Sequence, residues 1–299
     1  MYHLPVLLNK CIEGLRINPH GIYVDVTFGG GGHSAKILEQ LEDGHLYAFD
    51  QDSDALDNAF NDDRFTLIHQ NFRYLKNYLR LYQVKQVDGI LADLGVSSHQ
   101  FDTANRGFST RFDGPIDGRM DQRGDLTGSK ILNTYELLEL TRIFRLYGEL
   151  KNAYKIAHVV IEARKETPFE TIEQLKLVLG KFSPKHKEHK FFAQVFQALR
   201  IEVNQELEAL AEMLKQCTQV VKPGGRLVVL SYHSLEDRLA KNFIKTGNIE
   251  GELHKDFYGK IQNPWKAINR KPMVADEAEI ELNSRARSAK LRIAERISE

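Results

Sequence analysis

The sequence is short of cysteine and contains no long apolar run. It has two cysteines in 299 residues, Cys11 and Cys217, which lie too far apart to suggest a disulfide framework. We expect each to be a small buried side chain in a reduced compartment. No apolar stretch approaches the roughly 18 residues of a membrane span, and residues 1–10 lack the sections of a signal peptide. These absences predict a cytoplasmic protein with no membrane partner.

The chain also has no excess of charge of either sign. Its 41 lysines and arginines balance its 41 aspartates and glutamates. Residues 1–100 carry 8 basic and 13 acidic residues, whereas residues 101–200 carry 17 and 13. An acidic first third argues against a general nucleic-acid coat, and a basic middle third allows a local phosphate-binding face.

Apolar runs that alternate with helical patterns predict an α/β fold with a doubly wound parallel sheet. The predicted strands are Ile22–Phe28, His45–Asp50, Phe65–His69, Val87–Leu94 and Arg226–Tyr232. The interval before the last strand is far longer than one crossover helix needs, and its patterns are helical. We therefore predict a sheet domain in two parts, 1–104 and 201–299, with a helical domain inserted at 105–200.

A glycine-rich turn follows the first predicted strand. The run Asp25-Val26-Thr27-Phe28-Gly29-Gly30-Gly31-Gly32-His33-Ser34 opens a helical segment. Such a turn lets a nucleotide-like ligand approach backbone N–H groups at a helix start. Ser34 stands where the dinucleotide fingerprint G-x-G-x-x-G requires its third glycine, which counts against NAD.

Carboxylates end three of the predicted strands. Asp25, Asp50 and Asp93 should converge at the carboxyl edge of the sheet, where α/β proteins bind ligands. Asp50 is suited to the hydroxyls of a ribose, and Phe72 to stacking on a base. Each residue taken alone also has a structural interpretation as a turn, cap or core residue.

Several strings together resemble the ribosomal RNA small-subunit methyltransferase H family, formerly called MraW. They are VDVTFGGGGHS, DGILADLGVSS, RGFS, FQALRIEVNQEL, PGGRLVVLSYHSLEDR and RARSAKLRIAER. The resemblance implies a Rossmann-like class I methyltransferase sheet with an inserted helical substrate-recognition domain. It also implies S-adenosylmethionine-dependent N4-methylation of a cytidine in the decoding region of 16S ribosomal RNA, within the small ribosomal subunit.

Matching motif positions imply the site residues. The cofactor contacts would be Gly31, Gly32, His33, Asp50, Phe72, Asp93 and Gln100. We interpret Asp93 also as the catalytic candidate, an acceptor held at the cytosine amine. The candidate RNA phosphate contacts are Arg106, Arg111, Arg119, Arg123, residues 185–190, Arg285, Arg287, Lys290 and Arg292. No metal site is predicted.

Two other classes of protein stay open at this point. One is a nicotinamide-dependent dehydrogenase, and the other is a non-catalytic RNA-binding protein of ribosome assembly. Calorimetry with adenosylmethionine and with NAD distinguishes a methyltransferase from a dehydrogenase. Transfer of labelled methyl to small-subunit RNA distinguishes a methyltransferase from a non-catalytic RNA-binding protein. The sequence leaves the oligomeric state open.

Overall fold

The computed structural model describes residues 5–259 and 262–297, which form two compact units. The first unit comprises the residues up to Gly95 together with those from Leu207 onward. The second unit is Val96–Glu206, so it begins before and ends after the range 105–200 expected from the sequence.

The first unit has a sheet covered by helices. Its elements are α1 (Leu8–Leu15), β1 (Ile22–Asp25), α2 (Gly32–Leu38), β2 (His45–Asp50), β3 (Phe65–His69), α3 (Leu75–Leu81) and β4 (Val87–Asp93). The second part of the chain adds β5 (Val221–Ser231), α11 (Ser234–Thr246), β6 (Trp265–Ala267), α12 (Glu277–Leu282) and β7 (Lys290–Arg296). Helix α10 (Glu206–Val220) leads into β5. Short 3₁₀ helices cover Ser53–Asn58, Phe72–Tyr74 and Ser284–Ser288.

The strand order of the sheet is β3-β2-β1-β4-β5-β7-β6 across the described residues. Neighbouring strands from β3 to β5 are parallel, whereas β7 is antiparallel to both β5 and β6. The parallel part of this sheet, from β3 to β5, is the predicted Rossmann-like α/β arrangement. Strand β1 pairs with both β2 and β4, so the order reverses there and the carboxyl ends of β1 and β4 flank the crevice.

The strand predictions are exact for β2 and β3 and differ elsewhere. Strand β1 ends at Asp25 rather than Phe28, because the Asp25 carboxylate accepts the Thr27 N–H and turns the backbone. Strand β5 begins at Val221, which pairs with Val87 before a register shift. Strands β6 and β7 were not predicted.

Alternating apolar side chains build a core on each face of the sheet. On one face Ile90 and Val229 pack with helices α3, α10 and α11. On the other, Leu91 and Val228 pack with α1 and α2. Both cysteines are buried and free, as predicted. Among the described residues, no helix is long and apolar enough to cross a membrane.

The second unit is helical. Its helices are α4 (Ser98–Asp102), α5 (Gly128–Thr134), α6 (Leu137–Leu146), α7 (Ala153–Glu166), α8 (Ile172–Leu179) and α9 (Glu188–Asn204). Two short 3₁₀ helices cover Ala104–Arg106 and Gly180–Phe182. The glycine- and aspartate-rich stretch before α5 is hydrogen-bonded to the end of α9. The Asn204 side chain donates to the Gly118 carbonyl and accepts the Met120 N–H.

Candidate active site

The glycine-rich turn lies against the end of β2. The Phe28 N–H donates to the Phe49 carbonyl at 2.9 Å, and the Gly29 N–H donates to Asp50 Oδ2 at 2.7 Å. Gly31 has φ +76° and precedes α2. A Cβ on Gly31 would lie 2.8 Å from the Phe60 ring, so both the backbone conformation and the packing require glycine there.

Both carboxylate oxygens of Asp50 accept backbone N–H groups, one of them from the glycine-rich turn. Oδ2 accepts the Gly29 N–H, and Oδ1 accepts the Asp52 N–H at 2.9 Å. Burial raises the pKa of the Asp50 carboxyl to about 6, against the opposing effect of these two hydrogen bonds. Each oxygen keeps a second lone pair, which leaves Asp50 able to accept ligand hydroxyls.

Asp25 ties together the ends of β1 and α2. Its side chain is only 1% exposed, and it accepts the Thr27 N–H at 3.0 Å and the Ser34 hydroxyl at 2.7 Å. The Thr27 hydroxyl in turn accepts the Asp93 N–H at 2.7 Å and so joins the end of β4. Burial raises the pKa of Asp25. We interpret Asp25 as a structural carboxylate, because its hydrogen bonds hold together the ends of β1 and β4 and the start of α2.

Asp93 is held between two polar side chains. The Tyr232 hydroxyl donates to Asp93 Oδ1 at 2.7 Å, and His33 Nδ1 lies 3.5 Å from Oδ2. The other His33 nitrogen, Nε2, lies 3.2 Å from the Val6 carbonyl, which fixes the ring. Burial raises the pKa of Asp93 to about 6, while His33 and Tyr232 lower it. The structure thus brings two predicted site residues, His33 and Asp93, into contact.

Phe72 begins the short 3₁₀ helix beyond β3. Asn71 caps that helix by accepting the Arg73 N–H at 2.9 Å, and its side-chain amide donates to Gln51 at 2.7 Å. Phe72 is half-buried and packs at the edge of the core formed with α3. One part of the ring is therefore anchored, and the remainder is accessible.

Gly32 and Gln100 have local structural roles. A Cβ on Gly32 would lie 2.3 Å from Pro5, so this glycine admits the N-terminal segment against α2. Gln100 belongs to the second unit, where it caps α4: its side chain accepts the Ser97 N–H at 3.0 Å and its own N–H donates to the Ser97 hydroxyl. Its contact with a cofactor stays a prediction.

Sequence reasoning did not identify Tyr232 as a site residue. Tyr232 follows the last residue of β5, and β5 pairs with β4 so that Leu230 lies opposite Asp93. The signal available in the sequence is an aromatic hydroxyl directly after a buried strand that is expected to neighbour β4. Glu236 accepts the Tyr232 N–H at 2.9 Å and fixes the backbone there.

The structure changes the set of candidate RNA contacts. Arg106 and Arg292 are each 8% exposed. Arg106 donates to the carbonyl of Arg119, and Arg292 pairs with Asp237 at 2.7 Å, so both arginines stabilise the protein interior and the prediction is corrected for them. Lys290 lies 3.5 Å from the same Asp237 carboxylate.

Two more candidates pair locally, and others face solvent. Arg119 pairs with Asp117 at 2.7 Å and Arg123 with Asp121 at 2.8 Å. Arg111, Arg287 and residues 185–190 are exposed, whereas Arg285 is half-buried. The exposed cations remain candidates for phosphate contacts.

The carboxylates make the crevice of the first unit suitable for a cationic ligand. Burial is the main cause of the raised pKa of both Asp50 and Asp93, and repulsion by the Asp25 charge raises both further. A bound cation relieves that repulsion, whereas an added pyrophosphate increases it. The sulfonium and ammonium groups of adenosylmethionine, with its ribose hydroxyls, fit this donor and acceptor set.

Known proteins match this chain over almost its entire length. Residues 1–297 match the MraW methylase family. The chain is 57% identical over 297 residues to "Ribosomal RNA small subunit methyltransferase H" of Flavobacterium johnsoniae, covering 99% of this chain and 98% of that protein. It is 56% identical over 296 residues to the protein of the same name from Bacteroides thetaiotaomicron, covering 99% and 97%. By its match over residues 1–297 and these identities, the chain belongs to the MraW methylase family, the methyltransferases also named ribosomal RNA small subunit methyltransferase H.

Proposed function

We propose that this methyltransferase transfers a methyl group from S-adenosylmethionine to N4 of a cytidine in the decoding region of 16S ribosomal RNA. The observation that carries the proposal is Asp93, a largely buried carboxylate oriented at the switch point of the sheet by Tyr232 and His33. The names of the relatives support a small-subunit RNA substrate. We propose that the reaction takes place in the cytoplasm.

The cofactor is assigned to the crevice at the carboxyl ends of β1, β2 and β4. We assign its methionine end to Gly31, Gly32 and His33, and its ribose hydroxyls to the spare lone pairs of Asp50. Phe72 offers the accessible part of its ring to the adenine, and Asp93 borders the route to the acceptor. When bound, adenosylmethionine supplies an electrophilic methyl group on a positively charged sulfur.

Asp93 orients the acceptor in this proposal. A cytosine amine shares its lone pair with the ring and is a weak nucleophile until a hydrogen-bond acceptor favours a pyramidal nitrogen. With a pKa of about 6, the Asp93 carboxylate is mostly ionised at neutral pH and accepts an N–H of that amine. Tyr232 keeps Oδ1 fixed while this happens, so the geometry is set before the substrate arrives.

The electrostatics of the crevice favour this cofactor over a nicotinamide dinucleotide. A pyrophosphate would add negative charge beside Asp25, Asp50 and Asp93, whose pKa values are already raised. The glycine turn also lacks the third glycine of the dinucleotide fingerprint. Adenosylmethionine has no pyrophosphate and meets neither difficulty.

The substrate nucleotide must leave any base stack for its amine to reach Asp93. Enzymes that act on a nucleobase take single-stranded or flipped nucleotides and hold the flanking phosphates with basic groups. The exposed cations of the helical unit, residues 185–190 among them, are suited to that task, and we assign substrate recognition to this unit.

A nucleoside map tests the proposed function. Small-subunit RNA from cells without this protein is incubated with the purified enzyme and adenosylmethionine, and methylated nucleosides are located by mass spectrometry. We expect one N4-methylcytidine in the decoding region with the wild-type protein. The variant Asp93→Asn should lose at least about 100-fold in turnover, since it replaces a charged acceptor aimed at the reacting group.

Three results would count against the proposal. Methyl transfer to another atom or another region of the RNA contradicts the assigned nucleotide. Binding of adenosylmethionine without any methyl transfer favours the non-catalytic RNA-binding protein. Full activity in Asp93→Asn removes the role given to Asp93.

A further inference from the structure

An exposed aromatic pair projects from the first unit in the segment between α11 and β6. Phe257 is 98% exposed and Tyr258 is 91% exposed, and their rings contact each other edge to face with centroids 5.7 Å apart. Exposing two adjacent large rings is unfavourable in water. Isolated exposed apolar residues need no explanation, but a contiguous aromatic pair indicates a surface that is covered when the protein works.

The turn that presents these rings is built by hydrogen bonds. The Asp256 side chain accepts the Tyr258 N–H at 2.9 Å, and its carbonyl accepts the Gly259 N–H at 3.0 Å. Gly259 has φ +81°, a conformation that glycine adopts freely. The Gln262 N–H also donates to the His254 carbonyl at 2.9 Å. Hydrogen bonds therefore hold the backbone that carries both rings.

Positive charge accompanies the aromatic pair. Residues 253–273 contain five lysines and arginines and one aspartate, in a chain whose net charge is zero. Four of these cations are exposed: Lys255, Lys266, Arg270 and Lys271. Two exposed glutamates, Glu250 and Glu252, precede the segment. Basic residues interleaved with exposed aromatic rings are typical of surfaces that bind single-stranded nucleic acid.

The strand register places the second part of this segment, residues 265–273, at the outer edge of the sheet. Trp265 of β6 pairs with Arg296, and Met273 bridges to Leu291, so residues 265–273 run beside β7 for about 17 Å. Leu291 lies opposite Leu230, and Leu230 lies opposite Asp93. The end of the segment at Met273 is thus in one row with Asp93, about 14 Å away across the sheet.

We propose that residues 253–259 and 262–273, here called the edge segment, bind a single-stranded stretch of the RNA substrate. The inference rests on the proposed function for the identity of that RNA. Phe257 and Tyr258 stack on bases, and the four exposed cations bind phosphates along the sheet edge. The strand bound there leads toward the row that contains Asp93.

Two sets of substitutions test the edge segment. One is Phe257→Ala with Tyr258→Ala, and the other is Lys266→Ala, Arg270→Ala and Lys271→Ala together. The matched controls are Leu81→Ala, which removes an apolar side chain that is 70% exposed, and Arg80→Ala with Lys85→Ala, which remove exposed cations. All three control residues lie around the end of α3, the helix that follows β3, and β3 is at the opposite edge of the sheet from β6.

The measurements are affinity for protein-free 16S RNA and for small subunits over a range of salt, with kcat and KM for methyl transfer. Stacking contributes enough per base that the aromatic variant should weaken RNA affinity and raise KM for RNA at least about tenfold. The triple charge variant should reduce the slope of log Kd against log salt by about 2, at about 0.7 per phosphate contact in single strands. Affinity for adenosylmethionine, kcat and the melting temperature should match wild type, and the controls should change none of these values.

The outcomes separate the two proposals. If the wild-type enzyme methylates no small-subunit RNA, the proposed function fails. If it does and both edge-segment variants keep wild-type KM and salt slope, the docking surface is wrong. A loss of affinity for small subunits but not for protein-free RNA overturns it in favour of a ribosomal protein partner. Loss of adenosylmethionine affinity in the variants also overturns it, because the segment would then serve the fold.

Discussion

The hydrogen bond from Tyr232 to Asp93 provides a quantitative test of the active site. The Tyr232 hydroxyl donates to Asp93 Oδ1 at 2.7 Å, and the Asp93 side chain is 24% exposed. The other charged or titratable groups that act on this carboxylate are His33, Asp25 and Glu236. Replacing Tyr232 with Phe removes one hydrogen bond to the ionised form and leaves the ring in place.

The expected shift follows from the strength of that bond. A hydrogen bond to a charged group contributes about 1.5 to 3 kcal/mol, and one pKa unit corresponds to about 1.4 kcal/mol. In Tyr232→Phe the pKa of Asp93 should therefore rise from about 6 by about 1 to 2 units. Because the carboxylate must be ionised to accept the amine, kcat at pH 7 should fall about two- to tenfold and recover near pH 9.

The assay is a profile of kcat against pH with saturating adenosylmethionine and small-subunit RNA. The acid limb, near pH 6 in the wild type, should move to higher pH in Tyr232→Phe. The control is Tyr78→Phe, which removes a hydroxyl that accepts the Gln70 amide at 3.3 Å and has no contact with Asp93. An unmoved acid limb, or an equal loss of kcat at every pH, would refute the role given to Tyr232.

Three further predictions concern the crevice and the core. Because Asp50 and Asp93 have a pKa of about 6 and ionise beside a cationic ligand, adenosylmethionine affinity should rise with pH through about 6; calorimetry from pH 5 to 8 checks this, and a flat profile contradicts it. Gly31→Ala should lower the free energy of unfolding by about 1 to 3 kcal/mol in urea because of its φ of +76°, whereas Gly180→Ala, whose Cβ meets nothing within 4 Å, should not. Both cysteines should resist alkylation until the protein unfolds, since burial raises their pKa. Mass spectrometry after alkylation of the native protein checks this, and a label on either cysteine would disprove it.

The elements that the sequence predicted well carry their own boundary signals. Strand β2 is an apolar run that begins after Gly44 and ends at Asp50, and its predicted bounds are exact. A capping box of Thr171 and Gln174 begins α8, and the local sequence Thr-Ile-Glu-Gln is typical of that motif. In both cases the residues that start or stop the element are its immediate neighbours in the chain.

Strand β7 shows why other elements escaped prediction. It contains Arg292 and Arg296, two arginines that are 8% and 7% exposed. Arg292 is balanced by Asp237, a residue of α11 that is 55 positions earlier in the chain. Asp237 cannot be recognised as the partner from the sequence, and without a partner two arginines in one strand are typical of a solvent-exposed face. For this reason the sequence predicts an RNA contact for Arg292.

The sequence alone determined the family, the Rossmann-like sheet and the strand ends that carry Asp50 and Asp93, because these depend on short motifs and local apolar patterns. Only the tertiary structure decided which groups act on those carboxylates. Tyr232 lies 139 positions from Asp93 and reaches it because β4 and β5 pair in one register. Such a contact is set by strand pairing and packing across the whole sheet, and no local pattern in the chain specifies it.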